Sequence, residues 1–258
     1  MERAFYRDLG AGRYLAAEHT AGPWSSETQH LGPPSALLTR ELERCAPAPD
    51  TLLARITVEV LGPVPVGELR VSAQVDRPGR SVQLLSASLE SAERPVARAV
   101  AWRIARGDTA DQAAGAAEPL APVSAGVEFG RPEGWGGGYI DAMEWRSLKG
   151  ALADPGPATV WVRQRIPLVA GEAPTPLQRL MAVADSGSGV SNLLDPRQWL
   201  FINTEVTTHV QREPVGEWIG LDSTTVLGPD GVGTAVSVLH DQHGQAGNCN
   251  QALLVRPR

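Results

Sequence analysis

Two polar residues stand in apolar surroundings where a side chain could do chemistry. Asp185 lies one residue past the apolar stripe of a predicted helix, and Gln251 alternates with Cys249, Leu253 and Val255 on a predicted strand. A carboxylate near a core can take a proton from water or attack a carbonyl itself. A buried amide needs a hydrogen-bond partner. The alternative roles are local: Asp185 would end a helix before Ser-Gly-Ser-Gly, and Gln251 would bind neighbouring backbone.

An alternating pattern before Arg212 places polar residues on one face of a strand and apolar residues on the other. The polar members are Asn203, Glu205, Thr207 and His209, and the apolar ones are Leu200, Ile202 and Val206. We therefore predict that the polar face forms a wall of the site. Glu205 is either a second carboxylate of that site or an ion-pair partner of Arg212. Thr204 is expected to point to the opposite face, and it is a further candidate, with Gly32 and His30, for contact with the substrate or oxyanion.

The segment before the first predicted helix could bind negative charge. The N-terminus of a helix favours anions, but Pro33 and Pro34 carry no N–H. Gly32 is therefore the candidate backbone donor to an oxyanion. His30 is either an ordered structural histidine or a proton donor. The remaining histidines show no metal-ligand spacing, and we predict neither a metal nor a cofactor.

Several classes of function are excluded by composition and motif. Two distant cysteines, Cys45 and Cys249, form neither a disulfide framework nor a cysteine zinc site. The run DSGSG lacks the spacing of a nucleophile elbow, and neither a Walker loop nor a G-x-G-x-x-G motif is present. With 23 basic and 29 acidic residues, a net charge of −6 and no basic tract, we expect no nucleic-acid partner. No apolar stretch is long enough to span a membrane and the N-terminus is charged, so we expect a cytoplasmic protein.

The elements that must position these residues come from an internal repeat. Pro-Val-Gly-Glu occurs at 65–68 and again at 214–217. Each copy follows an alternating apolar strand pattern and precedes a turn, a strand, a second turn and a final strand, in the same order. The ordered series indicates a duplicated chain, although the four-residue identity alone is weak.

Each copy also carries a helix signal before its first long strand. In the first copy Pro33 and Pro34 open a run with helical apolar spacing, and in the second Thr175 can cap a helix that begins at Pro176. An antiparallel sheet wrapped around one apolar helix satisfies this order in each half. We predict an α+β fold with repeats over residues 1–108 and 131–258, joined by an Ala/Gly/Pro-rich linker over 109–130. The strands near 53–61 and 200–211 should meet at the centre of one continuous sheet.

Three segments give the chain a resemblance to the acyl-CoA thioesterase II family, whose fold is the double hotdog. They are QHLGPPSALL from Gln29, LMAVADSGSG from Leu180, and FINTEVTTHVQREPVGEW from Phe201 with the terminal NQALLVRPR. Leu31 departs from the family pattern, since a glycine is often found at its position.

The resemblance implies a water-binding group made of an Asp, a Thr and a Gln. By position the Asp corresponds to Asp185 and the Gln to Gln251, while the Thr position holds Asn203, which can still hydrogen-bond a water. Glu205 falls where the family often has an acid. The first half has Thr39 at the place of Asp185, so we expect one active site per chain, at the seam between the halves.

The expected function is hydrolysis of an acyl-CoA thioester to a free acid and CoA. A non-catalytic acyl-CoA or fatty-acid binding protein is the alternative, and an interaction protein that uses the outer sheet face is a third possibility. The sequence does not give the acyl length, nor whether CoA or an acyl carrier protein carries the acyl group. A wide outer sheet face with Trp102, Trp161 and Trp218 nearby leads us to expect a homo-oligomer.

Overall fold

The fold is a single curved antiparallel sheet that carries its helices on the inner face. The computed structural model describes residues 3–131, 136–151 and 154–258. Within those residues fourteen strands pair in the order β1-β2-β4-β5-β6-β3-β11-β14-β13-β12-β9-β8-β7, with β10 also on β14. The strands are β1 Tyr6–Gly10, β2 Arg13–Ala16, β3 Thr51–Val60, β4 Glu68–Arg77, β5 Val82–Ser91, β6 Arg94–Ala105, β7 Val127–Glu128, β8 Met143–Ala151, β9 Asp154–Gln164, β10 Trp199–Asn203, β11 Glu205–Val210, β12 Trp218–Leu227, β13 Val232–Asp241 and β14 Gly244–Pro257. The α-helices are α1 Gly32–Arg44, α2 Gly138–Ala142, α3 Pro176–Ala184 and α4 Gly187–Val190.

The two halves join through the pairing of β3 with β11. Val58 lies opposite Val206 and Ile56 opposite Thr208, and all four side chains are buried. Two sheets joined in this way leave no open edge at the centre of the molecule. The predicted continuous sheet, its two central strands and the double-hotdog architecture are confirmed.

Both long helices begin where the sequence predicts. The Thr175 hydroxyl accepts the Gln178 amide at 3.1 Å, which caps the first turn of α3, and Pro176 occupies the first helical position. In α1 the two prolines lie in the first turn, where a missing N–H has no cost. The apolar faces of α1 and α3 fill the core of the sheet, so burial adds to the stability of helices this short.

The helices run antiparallel, so that each C-terminus lies beside the other's N-terminus. Asp185, directly after α3, contacts the first turn of α1, and Glu43 near the end of α1 binds Thr175 and Gln178 at the start of α3. Carboxylates at helix N-termini are stabilised by the unpaired amides there. This antiparallel arrangement places the C-terminal end of the long helix of each half beside the N-terminal end of the long helix of the other half.

The segment between the halves crosses the outer face of the second half. The Trp161 indole donates to the Ala121 carbonyl at 2.8 Å, and the Ala117 amide donates to Gln245 at 2.7 Å. Trp161 is 2% exposed, so it does not belong to the free outer face from which oligomer formation was expected. The oligomeric state and the limits of the linker at 109–130 stay predictions.

Candidate active site

The candidate acid lies at the point where α3 ends. Asp185 follows Ala184, and the Gly-Ser-Gly run that comes next allows the chain to turn into the short helix α4. The structure thus has two helices, with Asp185 between the end of α3 and the start of α4. Its side chain is 5% exposed, so its carboxylate must be satisfied by protein groups.

Five hydrogen-bond donors surround this carboxylate. Asn203 Nδ2 lies 2.9 Å from Oδ1 and Gln251 Nε2 lies 3.3 Å from it, while His30 Nδ1 lies 3.0 Å from Oδ2. The backbone amides of Leu31 and Gly32 complete the set. Burial raises the pKa of Asp185 above its ordinary value, and the neighbouring His30, Asn203 and the two amides oppose that rise. The net shift is upward, which makes the carboxylate a stronger base than an exposed aspartate, and its neighbours are all donors that a carboxylate anion can accept from.

The pairing of His30 with Asp185 fixes the histidine tautomer. Nδ1 lies 3.0 Å from the Gly32 amide nitrogen and 3.0 Å from Asp185 Oδ2. A ring nitrogen either accepts a hydrogen bond or carries a hydrogen and donates one, so Nδ1 cannot accept from Gly32 and donate to Asp185 at the same time. An ionised carboxylate only accepts, so Nδ1 carries the hydrogen and the Gly32 N–H is directed at Asp185. Burial lowers the pKa of His30, and the ring is neutral at neutral pH.

Tyr139 on α2 holds the histidine ring and had no signal in the sequence. The two rings stack with centroids 3.9 Å apart and an interplanar angle of 9°. The Tyr139 hydroxyl donates to the Ala182 carbonyl at 2.8 Å and lies 2.9 Å from Ser186 Oγ. Burial raises the pKa of Tyr139, so it stays neutral. Tyr139 thus ties the segment before α1 to the end of α3.

A β-bulge aims Asn203 at the acid. From Asn203 to Thr207 the chain advances four residues, whereas the paired stretch on β14 from Leu253 to Asn250 advances three. The extra residue shifts the side-chain alternation by one, which is how bulges re-aim side chains beside active sites. The predicted common face of Asn203 with Glu205, Thr207 and His209 is therefore wrong.

Because of the same bulge, the side chains of Glu205 and Thr204 bind other groups and not the Asp185 carboxylate. Glu205 Oε1 accepts the Ala252 amide at 3.0 Å and Oε2 accepts the Thr207 hydroxyl at 2.7 Å. The Thr204 hydroxyl lies 3.4 Å from the Ala252 carbonyl. Glu205 therefore satisfies the backbone opposite the bulge and is neither a second carboxylate of the site nor a partner of Arg212. Arg212 instead pairs with the buried Asp241.

Gln251 clamps the turn that carries Asp185. Its Nε2 donates to the Asp185 carbonyl at 3.0 Å, and its Oε1 accepts the Ser188 amide at 2.9 Å. The polar residue expected among apolar neighbours is thus fully buried and holds both sides of the break between α3 and α4. Gly187 permits this approach, because a Cβ there would lie 3.0 Å from Oε1 and 2.5 Å from Ser237 Oγ.

Gly32 has a packing role in place of the predicted oxyanion role. A Cβ at this position would lie 2.3 Å from the Ala182 carbonyl oxygen, so only glycine lets α1 approach α3 this closely. Its N–H faces the carboxylate and does not line the neighbouring cavity.

A cavity of about 480 Å³ is lined by Asp185, His30 and Asn203. Its mouth is marked by the partly exposed side chains of Leu61, Ile202 and Leu254. The wall is mostly apolar, and Asp185 is among its most buried members. This arrangement can bind an apolar substrate and present one polar bond of it to a buried carboxylate.

The repeat supports one such site per chain. The sequence spacing predicts Thr39 as the counterpart of Asp185, but the antiparallel helices give that position to Glu43. Gln251 pairs with Ala235, and the corresponding pair in the first half is Ala101 with Leu85. The first half thus keeps an acid and lacks the amide that clamps it.

Gln251→Ala should lower kcat by about ten- to a hundredfold. Without the Gln251 hydrogen bonds the Asp185 carboxylate can shift by about 1 Å, and a displacement of that size costs a base much of its effect on the rate. Asp185 would keep its basicity, so the loss should be smaller than that of Asp185→Asn. Steady-state kinetics of the expected acyl-CoA hydrolysis measures both losses. A loss as large as that of Asp185→Asn would show that Gln251 acts directly on water or substrate.

Within the described ranges, no group of three His, Cys, Asp or Glu side chains is arranged to hold a metal ion. None of the helices in those ranges is long and apolar enough to cross a bilayer.

The fold is that of a double-hotdog protein, and the buried acid lies at a candidate site between its two halves. Sequence profiles of acyl-CoA thioesterases match both halves, the N-terminal domain at residues 20–104 and the C-terminal domain at 118–255. The chain therefore belongs to the acyl-CoA thioesterase family and is a thioester hydrolase.

Solved structures support the fold. A protein of Thermobifida fusca YX assigned as a thioesterase II is 18% identical, with a TM-score of 0.76 over 97% of this chain and 95% of that one. A protein of Novosphingobium aromaticivorans DSM 12444 assigned as a thioesterase is 15% identical, with a TM-score of 0.74 over 97% and 98%. An acyl-CoA thioesterase II of Mycobacterium marinum is 14% identical, with a TM-score of 0.67 over 98% and 95%. A comparison with curated proteins gives no match.

Proposed function

We propose that the protein hydrolyses an acyl-CoA thioester with a water molecule activated by Asp185. The observation that carries this proposal is a buried carboxylate with a raised pKa in the wall of a substrate-sized cavity. A base is most effective when its pKa lies near the working pH, and burial moves Asp185 in that direction.

The chemical step balances with the groups present. Asp185 takes a proton from water, and the water oxygen attacks the thioester carbon. The tetrahedral intermediate collapses with cleavage of the C–S bond, and the proton held by Asp185 passes to the departing thiolate. The products are a free acid and CoA.

His30 orients the base in this proposal. Its Nδ1–H bonds to Oδ2 of Asp185, which leaves Oδ1 with the two amide donors. The Nε2 atom has no partner among the residues that the structure describes, and the ring lines the cavity. Nε2 can therefore accept a hydrogen bond from water or relay a proton to the leaving group.

The first test is release of free thiol from acyl-CoA thioesters of graded length. Hydrolysis that depends on Asp185 supports the proposal. Binding of acyl-CoA without thiol release would favour the alternative of a non-catalytic acyl-CoA or fatty-acid binding protein. Release from acyl carrier protein thioesters alone would reject CoA as the carrier.

Asn203→Leu should move the acidic limb of the pH–rate profile to higher pH. The base works only when ionised, so activity is lost as the pH falls through the pKa of Asp185. The Asn203 hydrogen bond lowers that pKa, and its removal lets the pKa rise further above the ordinary value. The matched control is Asn203→Thr, which keeps a donor and should leave the limb closer to its original position. An unmoved limb in Asn203→Leu would show that a group other than Asp185 titrates in the reaction.

A further inference from the structure

Tyr139 contacts the candidate site through both parts of its side chain. Its fully buried ring stacks on the His30 imidazole, and its hydroxyl bonds the Ala182 carbonyl and Ser186 Oγ. The ring contact reaches a residue of the first half of the chain, whereas both hydroxyl contacts lie in the second half. One side chain therefore touches both of the segments that meet at Asp185.

The ring contact fixes what the hydrogen bond to Asp185 leaves free. The χ2 torsion of histidine has a broad distribution, so one hydrogen bond at Nδ1 does not determine the plane of the imidazole. The centroids of the His30 and Tyr139 rings lie 3.9 Å apart with an angle of 9° between the planes. This separation is shorter than the roughly 4.5–7 Å of ordinary aromatic pairs, so overlap blocks a swing of the imidazole toward Tyr139. The ring plane and the position of Nδ1 are thus set by two different residues.

The hydroxyl contact acts on the turn that carries the acid. Ala182 lies in the last turn of α3, where carbonyl groups have no amide partner within the helix. The Tyr139 hydroxyl donates its one hydrogen to that carbonyl, so the 2.9 Å contact with Ser186 is a bond that the serine donates. Ala182 stands three positions before Asp185, and Ser186 directly follows it. The hydroxyl therefore holds both sides of the turn.

The backbone of Tyr139 is anchored to the segment that leads to His30. The Tyr139 amide donates to the Ala21 carbonyl at 2.9 Å, and the His30 amide donates to the neighbouring Thr20 carbonyl at 2.8 Å. A Cβ at Gly138 would lie 2.2 Å from the Ala21 oxygen, so glycine allows this approach. The two stacked rings thus project from backbones that are tied to adjacent residues.

Resting on the proposed function, we propose that Tyr139 is a positioning residue of the hydrolytic site. Its ring holds His30 in the plane in which Nδ1–H meets the Asp185 carboxylate, and its hydroxyl holds the turn on which that carboxylate lies. Tyr139 acts only through these neighbours, because burial raises the pKa of its hydroxyl and keeps it neutral.

The first experiment records the tautomer of His30 by heteronuclear NMR of the free protein, at a pH where the ring is neutral. The resonance is assigned by its loss in His30→Gln. The unsubstituted protein and Tyr139→Phe should show one tautomer, with the hydrogen on Nδ1. Tyr139→Leu should lose this single signal and populate both tautomers. An unchanged signal in Tyr139→Leu would overturn the role of the ring.

The second experiment compares the kinetics of acyl-CoA hydrolysis. Tyr139→Leu should lower kcat about tenfold with little change in KM, because the loss is one of positioning at the carboxylate. Tyr139→Phe retains the ring and should recover most of that loss. Unchanged kcat in Tyr139→Leu, or equal losses in both variants, would overturn the role of the ring in the rate. Tyr139→Met, which fills the space without a flat ring, replaces the leucine variant should that one not fold.

Ser186→Ala tests the hydroxyl contact alone. It removes the bond to Tyr139 without touching either ring, so the His30 tautomer should stay as it is while kcat falls to the level of Tyr139→Phe. Unchanged kcat in both Ser186→Ala and Tyr139→Phe would overturn the role of the hydroxyl.

Tyr14→Leu is the matched control. It removes a second buried tyrosine, whose hydroxyl also has two partners, Glu41 and Arg40, and which does not line the cavity that holds Asp185. The His30 signal and kcat should not change. A kcat loss equal to that of Tyr139→Leu would mean that general destabilisation explains both. The NMR result needs no substrate, so absence of thiol release from the unsubstituted protein would reject the proposed function and leave the position of His30 decided by the spectrum.

Discussion

Asp185→Asn should reduce kcat by on the order of 10²–10⁴, the span that general-base catalysis supplies. Asn has nearly the same volume, but it cannot accept a proton from water. KM should change little, because the loss is confined to the transition state. Thiol release under saturating acyl-CoA measures kcat, and the pH–rate profile of the variant should lose its acidic limb.

The control for this variant is its stability. Asn also places an amide where the structure has only donors around Asp185, so a thermal unfolding curve must show that the variant folds. Asp185→Glu retains a carboxylate and should keep part of the activity. Near-wild-type turnover by Asp185→Asn would remove Asp185 as the base and give that role to His30 Nε2.

Gly32→Ala should have the second largest effect, on both stability and rate. The added Cβ would lie 2.3 Å from the Ala182 carbonyl oxygen, and this overpacking should cost about 1–3 kcal/mol of the free energy of unfolding. The shift of α1 needed to relieve it moves His30 relative to Asp185. A displacement of about 1 Å should reduce kcat roughly a hundredfold. Chemical denaturation and steady-state kinetics measure the two effects.

Gly67→Ala is the matched control for that change. A Cβ at Gly67 meets nothing within 4 Å, and the residue does not line the cavity that holds Asp185. Its stability should stay within about 1 kcal/mol of the original, and its kcat should not change. If Gly32→Ala behaves like this control, the close approach of α1 to α3 does not position the site.

The helices and the double sheet were predictable because their signals are local. Thr175 followed by Pro176 marks a helix start whatever the chain packs against, and the strand signals recur in the same order in both halves. Both elements therefore appear where the sequence predicts them. The pairing of β3 with β11 followed from the repeat. Two related half-sheets satisfy the unpaired backbone groups of their edge strands by pairing with each other.

The site was predictable only in part. Asp185, Asn203, Gln251 and His30 were identified, and the structure brings all four together. Their arrangement differs from the expected one, because Gln251 and Asn203 contact the carboxylate directly. Gly32 was identified for the wrong reason, since its N–H serves Asp185 and its missing side chain serves helix packing.

What the sequence alone determined is the duplicated antiparallel fold, the starts of the two long helices and the acid at the end of the second. Tertiary structure decided which face of the sheet Asn203 occupies. One extra residue at the bulge reverses the alternation of side chains between the two faces, and no residue type in that segment predicts the bulge. It also decided the ring that supports His30. Tyr139 lies more than a hundred positions from His30 in the chain, and only the packing of α2 against the start of α1 brings the two rings into contact.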